Sequence, residues 1–237
     1  MTDSLPQTPL SATPLAETLL ARLTTAFEAH RDDARALAMA AYLRDRFPFF
    51  GLSAPTRRAA ARTALTGLPD PSETDLAEIA RACWSRDERE FHQFACDYLI
   101  AHPAVPTPAF LEVTADLITT KSWWDTVDPL ATRFVGGLVR RHPTLLGRMD
   151  DWSESTNLWL IRTALLHQLH YGPSTDEKRL FRYCSAQAAH PDFFVRKAIG
   201  WALRHYARTN PQAVRAYLTT ESAHLSPLSI REAAKHL

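Results

Sequence analysis

Leu15, Leu19 and Leu23 fall on one face of a 3.6-residue period, and Thr13-Pro14 stands just before them as a capping residue followed by proline at the first helical position. The same grammar recurs along the chain. Ser72 with Asp75, Ser122 with Asp125 and Ser229 with Glu232 have the capping-box spacing, while Asn210-Pro211 and Ser226-Pro227 repeat the cap-then-proline signal. Between these starts lie Ala- and Leu-rich amphipathic segments of helical length, at 34–47, 86–101, 129–141, 155–170, 176–189 and 193–208. No segment alternates apolar and polar residues as a half-buried strand would. Residues 1–12 are rich in Pro, Ser and Thr and read as a disordered tail.

The punctuation itself repeats, because His102-Pro103, His142-Pro143 and His190-Pro191 close amphipathic segments at intervals of 40 and 48 residues. Such intervals match helix-pair repeats of the HEAT or armadillo kind. The expected fold is therefore all-α: a single domain over 13–237, built of tandem antiparallel helix pairs stacked as a HEAT-like or armadillo-like solenoid. A concave face for an extended ligand comes with that architecture. Chance succession of helices and loops is the competing account, since the repeats agree in spacing more than in letters.

Composition narrows the function. Seven glycines in 237 residues leave no glycine-rich phosphate cradle, which disfavours the common nucleotide-binding folds. The formal net charge is only +1, yet residues 1–120 carry 11 basic and 16 acidic side chains, and 121–237 carry 16 and 10. The halves are thus −5 and +6, and 23 of the 27 cations are Arg, whose planar fork suits phosphate. Codon bias towards Arg explains the same excess without function. Cys83, Cys96 and Cys184 form no C-x-x-C pair and no even set, so a reducing cytoplasm is expected. No signal peptide and no 18-residue apolar run is present, so neither export nor membrane insertion is expected.

Metal chemistry has little support: His92 with Cys96, and His167 with His170, are each one helical turn apart but lack companions at zinc spacing. No G-x-S-x-G elbow occurs. The unusual segment is KSWWDTVDPL, 121–130. If a helix begun at Ser122 continues to Asp128, Trp124 and Asp128 stand at i and i+4 on one face, and an indole and a carboxylate address one volume. Pro129 supports another reading, with Asp128 as the N-cap of the next helix, Asp125 also capping, and Trp123 and Trp124 filling the core. Arg162 lies in a run so apolar that it needs a carboxylate or a phosphate. PDFFVRKAIGWALRHYAR, 191–208, interleaves Phe194 and Trp201 with Arg196, Lys197, Arg204 and Arg208, as nucleic-acid binding requires, or as a packed face and a solvated face would also produce. Gly200 before Trp201 favours the functional reading, because glycine within a helix costs about 1 kcal/mol relative to alanine and usually has a packing or an access reason.

Taken together, RDRFPFFGLSAPTRR (44–58), WSRDEREFHQFACDYL (84–99), KSWWDTVD (121–128), NLWLIRTALLHQL (157–169) and FFVRKAIGWALRHYA (193–207) resemble the AlkD-type DNA glycosylases, HEAT-like-repeat proteins that remove cationic alkylated purines from DNA. The pieces occur in the family's order over about 15–237. The resemblance implies that Trp124 and Trp201 are the aromatic pair facing the lesion deoxyribose and that Asp128 is the catalytic carboxylate. It implies that Arg162 lies near the lesion-strand backbone, that Tyr42 is an aromatic near the cleft, and that Phe194 and Arg204 are at the DNA-contacting edge. Arg57 and Arg58 sit where the family has basic DNA contacts, and Arg58 is counted among the DNA-binding residues, whereas Ala54 departs from the polar residue usual before Pro55.

The activity so implied is hydrolysis of the N-glycosidic bond of N7-methylguanine and N3-methyladenine in duplex DNA, without base flipping, leaving an abasic site. It requires no cofactor and no metal. Duplex DNA carrying alkylated purines is the expected partner of a cytoplasmic monomer with no obligate protein partner. Two other readings compete: a catalytically silent relative that binds DNA structures, and a protein-interaction scaffold, for which DNA affinity would be weak and nearly insensitive to salt.

Overall fold

Helix starts follow from their capping residues. In the computed structural model, which describes residues 13–237, Thr13 accepts from the Ala16 amide at 3.3 Å and opens α1 (Pro14–Glu28). Asp32 opens α2 (Asp33–Tyr42), Ser53 opens α3 (Ala54–Leu65), and Ser72 with Asp75 forms a reciprocal capping box at α4 (Glu73–Ser85). The described residues contain helices and loops and no strand. The fold class is therefore all-α.

One compact unit ends at Ala95 and contains α1 to α4 and the first half of α5 (Arg89–Ala101). Leu19, Leu23 and Phe27 form the buried face of α1, which packs on α3 and α4. Phe27, Phe50 and Phe91 meet edge-on or tilted with centroids 5.3–5.9 Å apart, the arrangement that suits aromatic quadrupoles. The helix expected over 34–47 stops at Tyr42. Arg44 and Asp45 adopt φ of 61° and 54°, and Pro48 disfavours helical geometry at Phe47. The loop that follows is tied down by Glu90, whose fully buried carboxylate accepts from the amides of Phe50, Gly51 and Leu52 at 2.9–3.1 Å. Burial raises the Glu90 pKa, and those amides oppose the shift. Gly51 is obligatory here: its φ is +90°, and a Cβ would stand 2.1 Å from the Asp32 carbonyl oxygen.

The other compact unit runs from Cys96 to Leu237. After α6 (Phe110–Thr119) come α7 (Trp124–Pro129), a π-helical turn (Leu130–Val135) and α8 (Gly136–Arg141). Then follow α9 (Leu146–Ser153), α10 (Leu158–Leu166), α11 (Glu177–Ala186), α12 (Phe193–Ala207), α13 (Pro211–Thr220) and α14 (Pro227–Ala233). Within this unit α12 packs on α10, α13 and α14, and α10 also packs on α9 and the π-helical turn. Asn210 and Ser226 cap α13 and α14 as expected.

Two expected capping boxes are corrected. Ser229 is not an N-cap, because Ser226 holds that position and accepts from the Ser229 amide at 3.0 Å. Ser122 is not one either: its hydroxyl donates to the Ile118 carbonyl at 2.6 Å, and Trp123 occupies the cap position of α7. The expected tail, 1–12, lies outside the described residues.

Candidate active site

The segment around Asp128 departs from ordinary helical grammar. Lys121 adopts φ 48° and Trp123 is extended, after which α7 begins at Trp124. Pro129 has no amide hydrogen and crowds the preceding turn, so the helix would be expected to end before it. It does not end. The chain passes through Pro129 into the wider π-helical turn, and the Thr132 hydroxyl donates to the Asp128 carbonyl at 2.8 Å. Asp128 is thus helical rather than an N-cap, and it shares a face of α7 with Trp124 one turn earlier. π-helical turns of this kind concentrate at functional sites.

Asn157 caps α10 and sets Arg162 in a helix that is buried nearly all round. Arg162 finds a carboxylate. Its Nε donates to Asp128 Oδ1 at 2.7 Å and its Nη2 to Oδ2 at 2.8 Å, a bidentate fork, while Nη1 donates to the Phe194 carbonyl at 2.5 Å. The Arg162 side chain is 2% exposed and that of Asp128 is 16% exposed. The guanidinium therefore acts inside the protein, holding the carboxylate from below, while Asp128 keeps an open edge. Arg162, which the resemblance places near the lesion-strand backbone, spends its guanidinium on Asp128 and the Phe194 carbonyl inside the protein.

On α12, capped by Asp192, the residues Lys197, Trp201 and Arg204 recur at helical spacing. Arg162 Cζ lies 5.2 Å from the Trp201 ring centroid, Lys197 Nζ 5.7 Å and Arg204 Cζ 5.9 Å. Three cations around one indole would repel each other unless anions stood near. Asp128 serves Arg162, and Glu232 of α14 serves the other two, at 3.0 Å from Lys197 and 3.1 Å from Arg204, with Lys235 at 2.8 Å. The Lys235 ammonium, then that of Lys197, hold the Glu232 carboxyl down at about 2, against burial, which acts the other way.

This close approach of α14 explains Gly200. A Cβ there would meet Glu232 Cβ at 2.4 Å and the Ser229 carbonyl at 3.0 Å. The reason is packing rather than ligand access. Glu232 was absent from the sequence-based site because its spacing from Ser229 reads as a cap; its i, i+3 relation to Lys235 was the available signal.

The structure brings Asp128, Arg162, Phe194, Trp201 and Arg204 into one neighbourhood, with Trp124 on the Asp128 face of α7. Phe194 also closes an aromatic cluster, its ring 4.9 Å from Trp123 and 5.1 Å from Trp159. Trp123 is core, as one reading of KSWWDTVD expected. Tyr42, 72% exposed at the end of α2, and Arg58, exposed on α3, belong to the other unit. Their neighbour Arg57 turns inward and donates to Gln93. Among the described residues no group of three or more His, Cys, Asp and Glu is arranged to hold a metal ion, and no helix is long and apolar enough to cross a membrane. His92 is used internally, against Arg89 and the Arg86 carbonyl.

A family model for the DNA alkylation repair enzyme matches residues 23–237. A solved structure described as a predicted DNA alkylation repair enzyme from Enterococcus faecalis is 31% identical, with a TM-score of 0.79 over 87% of this chain and 96% of that one. The smu.31 protein of Streptococcus mutans UA159 shares the fold at 19% identity, with a TM-score of 0.58 over 74% of this chain and 90% of that one. Among curated proteins none matches the chain. With a family model covering nearly the whole chain and a structural relative at this level of identity, the chain belongs to the DNA alkylation repair enzyme family.

Proposed function

We propose that the protein is a monofunctional DNA-alkylpurine N-glycosylase, hydrolysing the N-glycosidic bond of N7-methylguanine and N3-methyladenine in duplex DNA. The observation that carries this reading is the Asp128 carboxylate, clamped by buried Arg162 beside the Trp201 indole. A purine already cationic from alkylation leaves without a general acid. The C1′–N bond breaks, its electron pair departs with the base and neutralises it, and positive charge passes to the deoxyribose. A carboxylate fixed beforehand stabilises that charge without reorganising, and the negative faces of Trp124 and Trp201 add to the effect. Water then adds to C1′, gives up its proton through Asp128 to solvent, and leaves an abasic site.

Because charge on the sugar is what the site addresses, the base need not be flipped into a pocket, and the unstacking cost of a few kcal/mol is avoided. Arg204, Phe194, Tyr42 and Arg58 are assigned to the duplex, and Arg162 to orienting Asp128. The decisive experiment incubates methylated duplex DNA with wild type and Asp128→Asn and measures released N7-methylguanine. Release by wild type and its loss in the variant are expected. A wild-type protein that binds duplex DNA but frees no methylated base would overturn the reading in favour of a binding protein.

A further inference from the structure

Gly136 and Gly137 stand together where the π-helical turn passes into α8, and only one has a steric reason. A Cβ on Gly136 would lie 2.3 Å from the His167 carbonyl oxygen. A Cβ on Gly137 would have only Arg141 Nη1 near it, at 3.6 Å, an ordinary contact. Glycine inside a helix is destabilising relative to alanine, so Gly137 calls for another account. It lines a cavity of about 360 Å³ with Thr132, Arg133, Arg140, His170 and Tyr171 among the other walls.

This cavity is cationic and built. The Tyr171 hydroxyl donates to the Gly136 carbonyl at 2.7 Å and pins the ring, over which the Arg140 guanidinium lies 5.7 Å from the centroid. No acidic residue lines it, and neither Arg133 nor Arg140 forms an ion pair with any described residue. Burial, and then the neighbouring Arg133 guanidinium, lower the His170 pKa, so this wall favours the neutral imidazole. Two guanidinium forks facing one open volume with no counter-charge are the donor set for a tetrahedral oxyanion. The cavity also lies close to the candidate active site along the chain, since Thr132 in its wall is the residue that bonds the Asp128 carbonyl.

We propose that this cavity is a phosphate site, in which Arg133 and Arg140 grip one backbone phosphate of a nucleic-acid strand and so register that strand against Asp128. That the strand is the damaged duplex rests on the glycosylase reading; the anion chemistry does not. Bare Gly137 leaves room for the phosphate and its sugar to approach the helix.

The test uses full-length protein, with Arg133→Gln and Arg140→Gln, both of which alter exposed side chains. Binding of an undamaged labelled duplex is measured over a salt series, and His170 is followed by NMR on adding the duplex or inorganic phosphate to wild type. The double variant should make the slope of log affinity against log salt shallower by about 0.9, the value for one lost phosphate contact, and each single variant by part of that. The His170 resonance should move with duplex in wild type and not in the variants. Unchanged slopes with a His170 response to inorganic phosphate alone would overturn the strand assignment in favour of a free-phosphate site, and no response to either would overturn the site. If wild type releases no methylated base, the glycosylase reading fails while the slopes still decide the phosphate site.

Discussion

Asp128→Asn keeps the shape of the side chain, removes its charge, and turns one of two acceptors facing Arg162 into a donor. Two effects follow and can be measured separately. Removing one partner of a buried ion pair costs about 3–5 kcal/mol, against about 0–1 for an exposed one. Arg162 is 2% exposed but Asp128 is 16% exposed, and Arg162 keeps its bond to the Phe194 carbonyl, so the lower end, about 3 kcal/mol, is expected. For a chain of this size that corresponds to a fall in Tm of about 6–12 °C.

The catalytic effect is larger in rate terms. On the proposed glycosylase reading, loss of a preorganised electrostatic partner of the developing charge should lower turnover by about 10²–10³-fold. Thermal melts read the first effect; single-turnover release of N7-methylguanine, at a temperature where both proteins are folded, reads the second. A double-mutant cycle with Arg162→Gln isolates the pair and should show coupling of about 2 kcal/mol. A Tm change below about 2 °C would contradict the buried pair. A release rate within about threefold of wild type, once corrected for folded fraction, would remove Asp128 from the chemistry even if the stability cost appears.

Three further outcomes follow from the packing. Gly200→Ala should destabilise by about 1–3 kcal/mol, because the new methyl must push α14 away, and an unchanged urea midpoint would contradict the close approach of the two helices. Glu232→Gln should lower stability at neutral pH; since the folded pKa of about 2 lies below the ordinary 4.5, the stabilisation is present above about 4.5 and lost as pH falls through about 2, so the gap between variant and wild type should narrow over that window in urea melts. His167 is fully buried and held neutral, with a folded pKa of about 4 against an ordinary 6.5, so the fold should lose on the order of 3 kcal/mol as pH falls from 6.5 to 4, a loss missing from His167→Gln in urea midpoints compared across those pH values.

Much of the helical plan was legible because its signals are short-range. Thr13-Pro14, Ser72 with Asp75, Asn210-Pro211 and Ser226-Pro227 each act within about one turn, where a side-chain oxygen either reaches an amide or does not. The same logic failed at Ser122 and Ser229, whose spacing is right but whose hydroxyls are drawn to the carbonyls of Ile118 and Arg196. Pro129 misled more instructively. Its local preference ends an ordinary helix, and packing overrode it by opening a π-helical turn that keeps Asp128 on the Trp124 face.

At the site, residue types could be read from the chain but their partners could not. An Arg in a run as apolar as 158–166 demands an anion, and elementary electrostatics says so from the letters alone; which anion depends on the helix that comes to lie against it. Asp128 is 34 residues away and became the partner because α10 packs on the α7 segment. Gly200 likewise announced a close approach without naming what approached, and Glu232 became visible as the hub of three cations once α14 lay on α12. Most caps are settled by neighbours within four residues and so are written in the chain order, Ser229 and Pro129 being places where more distant contacts intervened. Compensation of buried charge is settled by contact between elements far apart in that order, and there the fold had the final word.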